Sequence, residues 1–242
     1  MLKWIAVIMM PLAIVASLGA PAAASFQQPD LARIIFFHLP CAILCAVFLG
    51  IGAWHSFRFL ATRDERQDIK AASAMEMGSW LAILTMLTGI LFSKVQWGAW
   101  WQWDPRQTSF LIVTLLFLAY FALRASLDED RRPRFCAAYA LVSVLPALFL
   151  IFVFPRLPHV SQESFHPSQT IAQGQLDLAY RSVLYFCFAA VAVMCFWLYR
   201  DRVRAATLLY NESSINDGSL EVGGSSAADT GLTRPVAVRN SD

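Results

Sequence analysis

The run IFFHLPCAILCAVFLGIGAWHSFRFL, residues 35–60, is mostly apolar from end to end. At ~1.5 Å rise per residue it is longer than the hydrocarbon core of a bilayer is thick, about 30 Å. Inside lipid each amide must bond within its own segment, so the run reads as a transmembrane helix. Five further blocks resemble it: Trp4 to Ala24, Met77 to Phe92, Ser109 to Leu123, Phe135 to Phe154 and Leu178 to Tyr199. The expectation is an all-α, polytopic membrane helical bundle with about six transmembrane helices. Composition agrees, with 57% hydrophobic and only 15% charged residues and a mean hydropathy of +0.52. A soluble domain carries about 25% charged residues, so an ordinary water-soluble globule is excluded. A net charge of +2, with no basic stripe outside the loops, argues against nucleic acid as a partner.

Basic residues orient the spans. One side collects Arg58, Arg63, Arg66 and Lys70, then Arg124, Arg131, Arg132 and Arg134, then Arg200, Arg202 and Arg204, whereas the other holds Arg33, Lys94, Arg106, Arg156 and Arg181. With the basic loops inside, both termini face the cytoplasm and residues 25–34, 94–108 and 155–177 face out. The N-terminus has two readings. Lys3, an apolar run and Ala22-Ala23-Ala24 before Ser25 have the form of a signal peptide, and the same segment also reads as a retained first span. In either case Asp30 emerges outside. Beyond about Tyr210, Ser, Gly, Asn and Asp dominate. The chain therefore divides into a six-helix transmembrane domain, residues 1–204, and a disordered cytoplasmic tail, residues 205–242.

The five cysteines, Cys41, Cys45, Cys136, Cys187 and Cys195, fall inside spans and form neither CxxC nor CxxCH. They suggest neither a disulfide framework nor a covalent haem attachment site. His38, Cys41 and Cys45 share a helix face at i, i+3 and i+7. That face suits either a soft metal or, more commonly, simple packing.

Four tryptophans fall within seven residues in Trp97-Gly98-Ala99-Trp100-Trp101-Gln102-Trp103-Asp104-Pro105-Arg106-Gln107-Thr108-Ser109, on an outer loop. An interfacial aromatic belt explains one or two of them, but not the interleaved Gly, Asp, Arg, Thr and Ser. A platform of indole rings for a large flat apolar ligand explains the pattern better, since Trp offers wide contact area with few torsions to freeze. Asp104 and Arg106, two apart, are expected to brace the loop by hydrogen bonding and ion pairing. Pro105 and the Thr108–Ser109 pair suit the restart of a helix, with Ser or Thr capping it.

The run WGAWWQWDPRQTS resembles the tryptophan-rich WWD signature of the haem-handling membrane proteins of cytochrome c maturation, and within that superfamily it is most similar to the CcmC haem exporter family. The resemblance extends to Arg33-Ile34-Ile35-Phe36-Phe37-His38-Leu39-Pro40, to the six-span layout and to an outer-loop His followed by Pro. It implies haem b held transiently as cargo on the periplasmic face of the bacterial inner membrane, against Trp97, Trp100, Trp101 and Trp103 with Asp104 and Arg106 in support. It further implies transfer to a CcmE-like haem chaperone, and association with CcmA/CcmB-like ABC transporter subunits and a small CcmD-like protein. No GxxxxGK[ST] occurs in the chain, so any ATP use belongs to a partner. No group is placed to break or form a bond, and the expectation is a carrier rather than an enzyme. The alternative is a CcsA-like cytochrome c synthetase component, which would need a further pair of membrane-embedded histidines where only His55 is available.

A neutral imidazole is the usual axial ligand of haem iron. His38 begins the second span on the same face as the tryptophan loop, just before Pro40, a residue tolerated in a first helical turn. For the second ligand the family pattern places a His shortly before the last span. His166, in Ser164-Phe165-His166-Pro167, fits better than His159, although the aromatic pair that commonly precedes that His is missing here and both remain candidates. His55 lies 17 residues beyond His38, roughly 25 Å along a helix, too far to share its iron. Arg33, Arg106 and Arg156 are candidates for the haem carboxylates, or alternatively snorkelling interfacial residues.

Overall fold

A computed structural model describes residues 2–166 and 177–228, with side chains described as far as residue 213. Helix α1 spans Leu2–Leu18, α2 Ile35–Thr62, α3 Glu65–Trp97, α4 Pro105–Ser126, α5 Arg132–Leu148, α6 Pro158–Gln162 and α7 Leu178–Ala228. Five helical segments are long and apolar enough to cross a membrane: Leu31–Thr62, Glu65–Trp97, Pro105–Ser126, Arg132–Arg156 and Leu178–Ser213. Leu2–Leu18 is a shorter apolar helix. The all-α polytopic bundle read from the sequence is the architecture found.

Several boundaries differ from the sequence reading for identifiable reasons. The first helix stops at Leu18 rather than Ala24, because Gly19 and Pro21 interrupt it. The third begins at Glu65 rather than Met77, so much of the expected basic loop is helix. Only Arg63 and Asp64 join α2 to α3. Arg63 takes the left-handed conformation at φ 57°, and the Asp64 carboxylate caps α3 by accepting from the Arg66 amide at 3.0 Å. Glu65 and Asp68 in the first turn add favourable charge at the helix N-terminus. The fifth span changes its winding from α5 to a π-helical turn, Phe149–Val153, and a 3-10 turn, Phe154–Arg156. Pro146 and Pro155 deny the regular ladder two amide donors there. The helix from Leu178 runs to Ala228, past the point near Tyr210 where apolar character fades. By packing the chain divides into residues 1–203 and residues 204–242.

Helix α2 is the hub of the first unit. It packs on α3 and α5, burying Leu44, Cys45, Phe48 and Leu49 in a cluster with Met75, Val113, Phe117 and Cys195. Phe48 meets Phe196 of α7 at 5.2 Å between ring centroids. A second cluster, toward the end that carries the tryptophan loop, joins Phe36, Phe92, Tyr180 and Leu184. There the Tyr180 hydroxyl donates to the Ala32 carbonyl at 3.0 Å. Cys41, Cys45, Cys136, Cys187 and Cys195 are all buried free thiols. They act as small packing residues of the kind that let membrane helices approach closely. Among the described residues no group of three His, Cys, Asp or Glu is placed to hold a metal ion, and Cys41 and Cys45 pack in the first cluster.

Candidate functional site

Helix α3 ends at Trp97, where Gly98 supplies the left-handed C-cap (φ 83°) and its amide donates to the Lys94 carbonyl at 3.1 Å. The next six residues have no regular ladder, and side chains take its place. Ser93 Oγ donates to the Ala99 carbonyl (2.8 Å), Lys94 Nζ to Gly98 (2.9 Å) and Gln102 Nε2 to Trp97 (3.3 Å), while Gln107 Oε1 accepts from the Gln102 amide (3.0 Å). The polar residues interleaved with the indoles thus hold the loop by its own backbone.

Asp104 closes it. Its Oδ1 accepts from the Arg106 amide at 2.8 Å, capping α4, with Pro105 at the first helical position. The expected Ser/Thr cap is therefore corrected. Thr108 and Ser109 lie within the helix, because the carboxylate and the preset φ of proline start it earlier. The expected Asp104–Arg106 ion pair is absent among the described residues. The other oxygen, Oδ2, instead accepts from Ser164 Oγ and from the Phe165 amide, each at 2.8 Å. This carboxylate, 2% exposed, ties the tryptophan loop to the segment that carries His166, 60 residues away in sequence. Trp97 reinforces the junction, with Phe92 edge-on at 5.5 Å and Phe165 at 6.0 Å.

A cavity of about 200 Å³ opens beside this clasp. His38 and His166 both line it, together with Trp97, Asp104, Arg106, Gln107 and Arg156, and Leu39, Ala42, Met86, Ile90 and Phe110 form apolar walls. The π-helical turn contributes Leu150, Ile151 and Phe152. His38 stands deeper in its helix than expected, because the 3-10 turn Leu31–Ile34 leads straight into α2. Pro40 consequently sits inside the helix rather than in its first turn, and it frees the Phe36 carbonyl from the ladder. The His38 Nδ1 lies 2.9 Å from Thr88 Oγ1. His166 has a pKa well below the ordinary value, first because burial disfavours its charged form, then because Arg106, His38 and Arg156 repel it. It is a neutral imidazole near pH 7 and can offer a lone pair.

The structure brings together His38, His166, Trp97, Asp104 and Arg106, and adds Arg156 and Gln107. It keeps the other three tryptophans off the cavity lining. Trp100 and Trp103 point out, 57% and 76% exposed, and Trp101 meets Trp103 edge-on at 5.7 Å. His159 is exposed on α6 and lines no part of the cavity. His55 lies toward the opposite end, bonded to Gln67 at 2.9 Å. Arg33 binds the Ala20 carbonyl at 2.9 Å, also away from the cavity. Sequence reasoning missed Gly89 and Met86, which no one-dimensional signal marks, and the π-helical turn, to which Pro146 and Pro155 could have pointed.

Fold and site together define a polytopic helical membrane protein in which two imidazoles, an indole and two guanidinium groups share one cavity near a bundle end. The family model of CcmC, described as "Heme exporter protein C", matches residues 1–215, and the chain belongs to that family. Curated proteins named Heme exporter protein C are similar to it. That of Bradyrhizobium diazoefficiens is 34% identical over 60% of this chain and 56% of its own length. That of Paracoccus denitrificans is 27% identical over 74% of each. That of Escherichia coli is 30% identical over 78% of this chain and 75% of its own.

Proposed function

We propose that this protein carries haem in cytochrome c maturation: it holds haem b at the outer face of the bacterial inner membrane, with His38 and His166 on the iron, and passes it to a CcmE-like chaperone. The observation that carries the reading is the meeting of those two histidines, 128 residues apart in sequence, on one cavity wall set. An iron tetrapyrrole needs axial donors, a flat apolar contact and cations for its carboxylates. The cavity offers two imidazoles, Trp97, and Arg106 with Arg156. The Arg106 Nε is buried without a hydrogen-bond partner, as are Trp101 Nε1 and Gln107 Nε2. Such orphans are costly unless a ligand satisfies them.

On this reading His38 is fixed in a long helix, whereas His166 sits in a short segment held by Asp104. Release of haem then needs only the second ligand to swing away. Trp100, Trp101 and Trp103 present indole surface outside the cavity, where they contact the exposed edge of the cargo or the chaperone that takes it. CcmA/CcmB-like subunits supply ATP hydrolysis, a CcmD-like protein completes the assembly, and residues 205–242 face the cytoplasm. No bond-making step is assigned to the chain.

The test is purification with haem in detergent. The wild type should give a low-spin, bis-imidazole absorption spectrum. His38→Ala and His166→Ala should each lose it, and His159→Ala and His55→Ala should leave it unchanged. Loss in the His55 variant alone would overturn the reading. Capture of an apocytochrome in place of a haem chaperone and ABC subunits would favour the CcsA-like synthetase.

A further inference from the structure

Behind the His38 ring, on the neighbouring helix, lies a hydrogen-bond chain. Thr88 Oγ1 is 2.6 Å from the Leu84 carbonyl and 3.2 Å from that of Thr85, and it donates back along α3. A threonine hydroxyl has one hydrogen. With that hydrogen committed to a helix carbonyl, the oxygen facing His38 Nδ1 at 2.9 Å is an acceptor only. That arrangement is satisfied when the imidazole proton sits on Nδ1, which leaves the lone pair on Nε2.

The next residue gives an independent indication. A Cβ built on Gly89 would stand 3.1 Å from His38 Cε1, 3.7 Å from Nδ1 and 4.0 Å from Nε2, tighter than ordinary contact at the first. Gly89 and His38 both line the cavity. The bare backbone at 89 makes room for the Cε1 edge of the ring, so that the ring can lie within reach of the hydroxyl at 88.

Resting on the haem-carrying reading, we infer that Thr88 is a positioning residue for His38, fixing the tautomer and ring orientation that present Nε2 to iron. The adjacent Gly89 provides the clearance. Outer partners of metal-bound imidazoles orient the ring and raise its basicity, and their loss costs about 10- to 100-fold in affinity. The proton acceptor here is a neutral hydroxyl relayed to a helix carbonyl. It biases the ring without the charge of a carboxylate partner, which suits cargo that must leave.

The experiment uses the full chain in detergent, titrated with haem, and reads both retention and spin state. Thr88→Val, nearly isosteric but without the hydroxyl, should weaken retention about tenfold or more and move part of the spectrum to high spin. Thr88→Ser should restore wild-type values on both readouts. If the Val chain does not purify as a folded species, Thr88→Ala poses the same question. Wild-type retention and spectrum in Thr88→Val, or a Ser variant as impaired as Val, would overturn the inference. His38→Ala separates the two claims: if it keeps the low-spin spectrum, the haem reading itself fails, and if it loses that spectrum while Thr88→Val does not, only the role of Thr88 falls.

Discussion

The two ends of the bundle are built on opposite principles. At the end away from the tryptophans, α2 turns into α3 through two residues, and polar groups are matched to each other. The Arg124 guanidinium donates to both oxygens of Asp68, at 3.0 and 2.5 Å, His55 meets Gln67, and Gln67 donates to Asp64 at 3.1 Å. At the tryptophan end the chain spends long connections, a π-helical turn and a positive-φ tryptophan. Buried polar atoms without partners gather there too. Among the described residues they lie at Arg33, Trp101, Arg106, Gln107, Ser109 and Arg181, against Ser56 alone elsewhere. One end pairs nearly all of its own buried polar groups, and the other leaves several unpaired, as the proposed haem-carrying role would require.

The sharpest break of that contrast is at the closed end. Arg124→Ala leaves the Asp68 carboxylate, 7% exposed, without its partner, and breaking a buried pair costs about 3–5 kcal/mol. Unfolding in detergent should show a loss of that size, while the protein that remains folded binds haem with the wild-type spectrum. A selective loss of haem with unchanged stability would erase the distinction between the ends.

Asp104 tests the other end. Asp104→Ala removes an N-cap, worth about 1 kcal/mol, and two hydrogen bonds to a charged acceptor, each about 1.5–3 kcal/mol. Because the three bonds share one carboxylate their costs do not add in full, and we expect a destabilisation of about 2–4 kcal/mol, with hydrogen exchange accelerated at residues 164–166 before the helices respond. With haem present, the His166 ligand should be lost while His38 stays bound, giving a high-spin, five-coordinate spectrum. Unaltered exchange at 164–166 would show that the clasp does not hold the segment.

These two sites also mark where the sequence was legible. Apolar runs disclose the spans because lipid demands them, and the clustered indoles disclose the loop because nothing else explains Trp97 to Trp103. The choice between His166 and His159 was open in one dimension. What sets His166 on the cavity while His159 stays off it is a pair of hydrogen bonds, from Ser164 and Phe165 to the Asp104 carboxylate 60 and 61 positions earlier, contacts with no local pattern. The Arg63–Asp64 turn was hidden for a different reason: charged residues that look like loop can extend a helix beyond the membrane once a cap and first-turn acids start it. Gly89 reads as an ordinary glycine until the ring it faces is known.

The acid response of the same end should be smaller. His166 is held neutral by burial, so its folded pKa lies below that of the unfolded chain, about 6.5. Above that pH both states are neutral and the contribution is complete. As pH falls below it, the unfolded state takes up a proton that the folded state refuses. Stability then declines with a slope of at most about 1.4 kcal/mol per pH unit. Denaturant unfolding at pH 8, 6.5 and 5 should show this excess slope in the wild type relative to His166→Gln. Identical slopes would mean that the ring is hydrated and free to protonate, and that the cavity is not closed around it.

The smallest effect is the most diagnostic of purpose. Trp103 holds φ at 55°, a conformation costing a residue with a Cβ about 1–2 kcal/mol, and is 76% exposed, so little burial offsets the strain. Strain without a packing return persists where the surroundings enforce it for binding. Trp103→Gly should therefore raise the stability of the haem-free protein by up to about 1 kcal/mol while weakening haem retention or its transfer to the chaperone. Tm without haem and dissociation rate with it, measured on the same preparation, would move in opposite directions. If both fell together, Trp103 would be a structural brace of the loop and would drop out of the proposed platform.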